Sequence, residues 1–131
     1  MALLLAVPLS GLSGCVGNAK PNDSDQERPR VVRTLSGFAT FYGPGFEGEK
    51  TASGRRFDSD ELVAAHRTLP LGTRVRVINL ENGRSVILQI IDRGPYARRG
   101  TIIDVSQGAA KRLRFIKDGR VRVRVEVLEE S

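Results

Sequence analysis

Val121-Arg122-Val123-Arg124-Val125-Glu126-Val127 alternates apolar and charged residues without a break. Successive side chains of a strand point to opposite faces, so this pattern fits a strand with valines on a core and charges in water. Thr73-Arg74-Val75-Arg76-Val77-Ile78-Asn79 has the same period, and Asn82-Gly83 is a hairpin signal before a further strand over residues 84–91. Shorter strands are predicted over 36–42 and 101–104. A helix is predicted over 106–113, where Ser106 can cap it, Ala109 and Ala110 favour it and Gly108 weakens it. Only 5% of residues are aromatic, so branched aliphatics must fill the core; fourteen glycines and six prolines provide for many tight turns. The expected fold is mainly β, about six short strands with one or two short helices closed into a small barrel over residues 35–128.

The net charge of +6 and pI of about 10.2 favour an anionic partner or surface. Arginines on the outer faces of the strands account for much of that charge, and they either keep the surface soluble or attract a partner. Nucleic acid is not the expected partner, because the chain lacks clustered basic-aromatic pairs and because its N-terminus reads as an export signal. Residues 2–12 are apolar but too few to span a bilayer. They lead into Leu12-Ser13-Gly14-Cys15, which resembles the lipobox of bacterial lipoproteins. Residues 1–14 are then a signal peptide, and Cys15, the only cysteine, is the lipidation site. No Lys or Arg precedes the apolar run, so either the true start lies upstream of Met1 or the signal is atypical. Residues 18–30 are polar, charged and aperiodic, so that residues 15–34 read as the lipidated cysteine and a flexible tether. Val16 after the cysteine, by likeness to known lipoproteins, favours the outer membrane over the inner. The expectation is an envelope protein anchored by lipid on the periplasmic face.

Three polar segments sit at strand ends. The first is the Gly-rich loop that runs from Tyr42 through Phe46 to Thr51-Ala52-Ser53-Gly54. The second is Ala65-His66-Arg67-Thr68-Leu69-Pro70-Leu71-Gly72-Thr73, which carries the single histidine. The third is Asp92-Arg93-Gly94-Pro95, followed by Asp104-Val105-Ser106. Asp92 closes an apolar strand and precedes a rigid turn, which places a carboxylate on a scaffold. On spacing alone it either pairs with Arg93 or caps the turn.

The ordered set of these segments, from Gly37 to Val127, resembles the rare lipoprotein A family, septal-ring-type lytic transglycosylases built on a double-psi β-barrel. The resemblance implies cleavage of the β-1,4 bond between N-acetylmuramic acid and N-acetylglucosamine in peptidoglycan glycan strands, leaving a 1,6-anhydro product. It implies Asp92 as acid/base and His66 as the second catalytic position, orienting Asp92, bonding sugar or stabilising charge. A lytic reaction activates no water, so one carboxyl of raised pKa could protonate the leaving oxygen and then accept the 6-hydroxyl proton. Burial against Ile91 is the expected means of raising it. Tyr42, Phe46, Arg93 and Asp104 are the substrate-binding candidates; Tyr42 and Phe46 either stack on sugar or belong to the core. Asp104 is also expected to pin a turn or to support the helix cap through Ser106.

The chain departs from the family at Arg55, where active members carry a glutamate after the Ser-Gly pair. Arginine stays protonated and cannot serve as acid or base. Glu47, Glu49 and Asp58 are candidates to reach the same place. A second reading therefore stands beside the enzyme: a non-catalytic, expansin-like peptidoglycan-binding module in which Arg55 pairs with carboxylates of the substrate. One His and one Cys cannot build a usual metal site, and neither a metal nor a cofactor is expected. Ser131 closely follows the last strand, so no extra glycan-binding domain is expected beside the barrel; the protein is expected to be a monomer.

Overall fold

The computed structural model describes residues 28–130; the signal, Cys15 and most of the tether expected from the sequence lie outside them. Six strands form a closed barrel: β1 (Val31–Phe41), β2 (Val63–Ala65), β3 (Arg74–Asn79), β4 (Ser85–Asp92), β5 (Thr101–Val105) and β6 (Val121–Leu128). One α-helix, α1 (Gln107–Leu113), and a single 3-10 turn (Pro44–Phe46) complete the described elements. Around the barrel the order is β1-β5-β2-β4-β3-β6. The β1/β5 and β2/β4 pairs are parallel and the rest antiparallel.

The period-two segments form the strands expected of them. Val75 and Val77 of β3, Val86, Leu88 and Ile90 of β4, and Val121, Val123 and Val125 of β6 point inward and are buried. The main core holds one fully buried aromatic ring, Phe115. Arg76 and Arg124 lie on the outside, where both meet Glu126 at 2.9 and 3.4 Å. Arg120 and Arg122 lie over the Phe38 ring.

Strand β1 starts at Val31, not near residue 36, because Val31 to Leu35 pair with the end of β6 from Leu128 to Val125. The polar composition around Arg30 hid this extension. Strand β2 has no counterpart in the predicted strands. With three buried residues it is too short to show a period.

Ser106 caps α1 by accepting the Ala109 N–H at 3.2 Å and donates its own hydroxyl to the Glu61 carbonyl. At the other end, the amides of Asn79 and Asn82 both donate to the Leu113 carbonyl, at 2.9 and 3.1 Å. The β3–β4 hairpin thus satisfies a carbonyl that the helix leaves open.

An irregularity between β2 and β4 sets up the site. Ala64 lies opposite Ile90, yet the next residue, Ala65, lies opposite Asp92, so Ile91 is an extra residue in β4. Strict alternation after Leu88 and Ile90 would send Asp92 into the barrel. The bulge turns it to the outer side instead, as bulges near functional sites do. Ile91 there packs in a second, smaller cluster with Tyr42, Phe57, Val63 and Ala65.

Candidate active site

Asp92 is held from two sides. The Tyr42 hydroxyl donates to Oδ2 at 2.8 Å and the Ala52 N–H donates to Oδ1 at 2.9 Å. Tyr42 follows β1 and is only 4% exposed, its ring stacked on Phe57 with centroids 4.2 Å apart. Burial, then the bond to Asp92, pushes its phenol well above the usual range, so it stays protonated and donates. Of the two roles the sequence left open for Tyr42, the structure takes the core one. The buried ring positions Asp92 through its hydroxyl and offers no face to a sugar.

The turn Thr51-Ala52-Ser53-Gly54 presents the second donor. Gly54 has φ +94°, a conformation that favours glycine. Its N–H bonds the Thr51 carbonyl at 2.9 Å, and the Ser53 N–H ties the turn to the Ile91 carbonyl at 3.0 Å. Neither expectation for Asp92 from local spacing holds. Among the described residues no ion pair joins it to Arg93, and its carboxylate accepts from residues far away in the chain.

The Arg93 guanidinium instead donates to the carbonyls of His66 and Leu69, at 3.1 and 2.6 Å. Arg67 reciprocates on the Pro95 carbonyl at 2.8 Å. Two of the three polar segments are thereby locked together. Arg93, a candidate for substrate, spends this nitrogen on holding the loop of His66.

His66 is 7% exposed. Its Nδ1 accepts the N–H groups of Thr68 and Leu69, both at 3.1 Å. Burial first, then the positive charges of Arg67, Arg33 and Arg93, lower its pKa. The ring is therefore neutral at pH 7, with Nδ1 as acceptor and its hydrogen on Nε2. That N–H has no partner among the described residues and is the group His66 can offer to a ligand. His66 meets Asp92 through the backbone, its N–H donating to the Asp92 carbonyl at 3.1 Å. No bond from its ring reaches the Asp92 carboxylate, so the orienting role falls to Tyr42 and Ala52.

Asp104 lies within β5, not at a turn, and its carboxylate does not take part in the helix cap. Oδ1 accepts the Thr40 hydroxyl at 3.2 Å. Burial first, opposed by that bond and helped by the charge of Asp92, raises its pKa to about 6. This carboxyl, and the pair of donors on Asp92, are the features that spacing could not reveal.

Phe46 is half exposed and makes a T-shaped contact with Tyr42, centroids 5.2 Å apart. Tyr96, just past Pro95, is 72% exposed; as the only aromatic beside the Gly94-Pro95 turn it was visible in the sequence but not weighed there.

Arg55 donates to Gln89 Oε1 at 2.8 Å and to Glu61 Oε1 at 2.9 Å. It lines an open groove of about 310 Å³ with Ala52, Ser53, Leu71, Gly72 and Gln89. Of the acids expected to reach this place, Glu47 accepts from the Ser59 N–H and Asp58 from the Asp60 N–H. The carboxylate that meets Arg55 is Glu61.

The family model for lytic transglycolase matches residues 34–125. Probable endolytic peptidoglycan transglycosylases RlpA are similar to this chain: that of a Synechocystis species is 43% identical over 95% of the chain and 38% of the relative, and that of a Nostoc species is 54% identical over 72% of the chain and 26% of the relative. The chain thus spans well under half the length of these two curated relatives. In fold it is similar to the Streptomyces papain inhibitor, with TM-score 0.61 and 23% identity over 78% of this chain and all of that one. It is similar also to an expansin of Clavibacter michiganensis solved as a variant in complex with cellohexaose, with TM-score 0.60 and 18% identity over 76% of this chain and 52% of that one. Those likenesses bear on the fold alone, a double-psi β-barrel. The chain belongs to the lytic transglycolase family, to which its sequence from Thr34 in β1 to Val125 in β6 conforms.

Proposed function

We propose that this protein is a peptidoglycan lytic transglycosylase that cleaves the β-1,4 bond between N-acetylmuramic acid and N-acetylglucosamine and leaves a 1,6-anhydromuramoyl end. The observation that carries this is Asp92, turned outward by a bulge at the end of β4 and gripped by Tyr42 and Ala52. A carboxylate fixed by two donors on a rigid barrel can take the proton of a 6-hydroxyl as that oxygen attacks the anomeric carbon. The Nε2–H of His66 supplies a neutral donor to the sugar. Phe46, half exposed, is the candidate for stacking on a sugar ring. The membrane contact is proposed through lipid on Cys15, on the periplasmic face of the envelope and at the outer membrane rather than the inner.

The Arg55–Glu61–Gln89 cluster favours a second reading, a glycan-binding module without turnover. It puts a cation where the family resemblance implies a glutamate.

One assay separates them. The purified chain is incubated with intact and with peptide-free peptidoglycan, and products are read by mass spectrometry. Anhydromuramoyl products that vanish with Asp92→Asn support the enzyme; binding without product on either substrate supports the module. For the anchor, Cys15→Ala should release the protein from membranes, and unchanged fractionation would contradict it.

A further inference from the structure

Thr40, Asp104, Ala65 and Asp92 form one row across four strands. Thr40 lies opposite Asp104 in the β1/β5 pair, Asp104 opposite Ala65 in β5/β2, and Ala65 opposite Asp92 in β2/β4. Residues directly opposite share a face of the sheet. Neighbouring strands lie about 4.8 Å apart, so the two aspartates leave the sheet roughly 10 Å apart in backbone terms. Ala65 is the residue between them in the row, and the Tyr42 hydroxyl on Asp92 also acts on Asp104. Two carboxyl groups carried on one face in this way can flank a glycosidic bond.

The two carboxyls are dressed differently. Asp92 is an acceptor on both oxygens, from Tyr42 and from Ala52. Asp104 accepts only on Oδ1, from Thr40, and its Oδ2 has no donor among the described residues. Oδ2 is therefore the place where Asp104 can carry a proton, with Thr40 fixing which oxygen it is. Burial, with the charge of Asp92, favours that protonated form up to about pH 6. The titratable groups that act on Asp104 are Asp92 from β4 and the Tyr42 phenol after β1; β2 contributes only Ala65 at this register. Paired acids whose surroundings differ in this way divide acid and base work.

We propose that Asp104 is a catalytic residue, the proton donor to the leaving oxygen, with Thr40 as its positioning residue and Asp92 as the base. The inference rests on the transglycosylase reading and deepens it. The bond between the muramoyl anomeric carbon and the oxygen of N-acetylglucosamine breaks, and that oxygen takes the Asp104 proton. The muramoyl 6-oxygen forms the new bond to the anomeric carbon, and its proton passes to Asp92. Turnover ends with Asp104 ionised and Asp92 protonated, and proton exchange with water restores the starting state. No net proton is consumed.

The test compares wild type, Asp104→Asn, Thr40→Val and Asp92→Asn in the full chain on peptide-free glycan strands. A second substrate is a muramoyl glycoside with a nitrophenolate leaving group, which departs without a proton. Wild-type kcat/KM on glycan is expected to fall as pH rises through about 6. Asp104→Asn should lose about 10²- to 10⁴-fold on glycan and little on the nitrophenyl substrate, whereas Asp92→Asn loses on both. Thr40→Val should move the alkaline limb to higher pH, because the Thr40 bond holds the Asp104 pKa down; a merely structural role would not move it. Wild-type product with full glycan activity in Asp104→Asn, or equal losses on both substrates, overturns the division of labour alone. No product from wild type overturns the transglycosylase reading and the division with it.

Discussion

The His66 imidazole accepts two backbone N–H groups on Nδ1, an arrangement open only to the neutral ring. Protonation would set a third N–H against those two, and burial with three arginines nearby resists it. Because the folded pKa lies below the ordinary 6.5, the unfolded chain takes up this proton first as pH falls. The unfolded state then binds more protons, and stability is lost below about pH 6.5. Asp104 acts in the opposite sense. Its pKa is raised from 3.8 to about 6, so the folded state binds more protons between those values and gains stability as pH falls through that window. A wild-type curve mixes the two, so a difference against a variant is the clean measurement. His66→Asn keeps a side-chain oxygen that can accept the same N–H groups and removes the titration. It should be less stable than wild type by about 1 kcal/mol at pH 7.5, and urea titrations should show that gap closing by pH 5. A gap independent of pH would mean that the ring does not titrate as its bonds require.

At the scale of elements, a glycine in a helix of seven residues looks like a weakness, and intrinsic propensity says alanine would gain about 1 kcal/mol there. The packing of α1 reverses the sign. The Gly108 N–H bonds the Ser59 carbonyl at 2.8 Å, and a β-carbon on Gly108 would come within 2.9 Å of the Asp60 carbonyl oxygen. Both obstacles are backbone, and the segment they belong to leads directly into β2. Gly108→Ala should therefore cost about 1–3 kcal/mol, read as a lower denaturation midpoint; a gain would show that the segment yields easily. The same contrast marks what could be read from the residues. Long alternating runs announced β3 and β6, since burial on one face leaves a period, and a hairpin signal with an apolar run announced β4. Strand β2, buried throughout, leaves none. The bulge in β4 is equally silent, because Ile90-Ile91-Asp92 reads the same whether Asp92 turns inward or outward. Only the partner strand decides.

For the whole molecule, the motifs found Asp92 and His66, while the contacts that define their chemistry are made by closing the barrel. Tyr42 is 50 residues from Asp92, Ala52 is 40, and Thr40 is 64 from Asp104. No local rule joins such pairs; the strand order does. Closure itself depends on β1, the one strand that bridges β5 and β6. Phe38 and Ala39 pair with both neighbours, the residues before them pair with β6 alone, and Thr40 and Phe41 pair with β5 alone. The Glu129 N–H extends that ladder to the Arg30 carbonyl at 2.8 Å. A chain starting at Arg28 keeps this ladder whole. A chain starting at Ser36 leaves Val125, Glu126, Val127 and Leu128 without their β1 partners and withdraws Leu35 from the core. It also creates the unpaired edge that a closed barrel avoids. Several lost backbone bonds at about 1 kcal/mol each come to about 3 kcal/mol, or a fall in melting temperature of at least about 10 °C for a domain this size. Calorimetry on the two truncations measures the difference directly. Equal melting temperatures would mean that the barrel is closed by its second half alone.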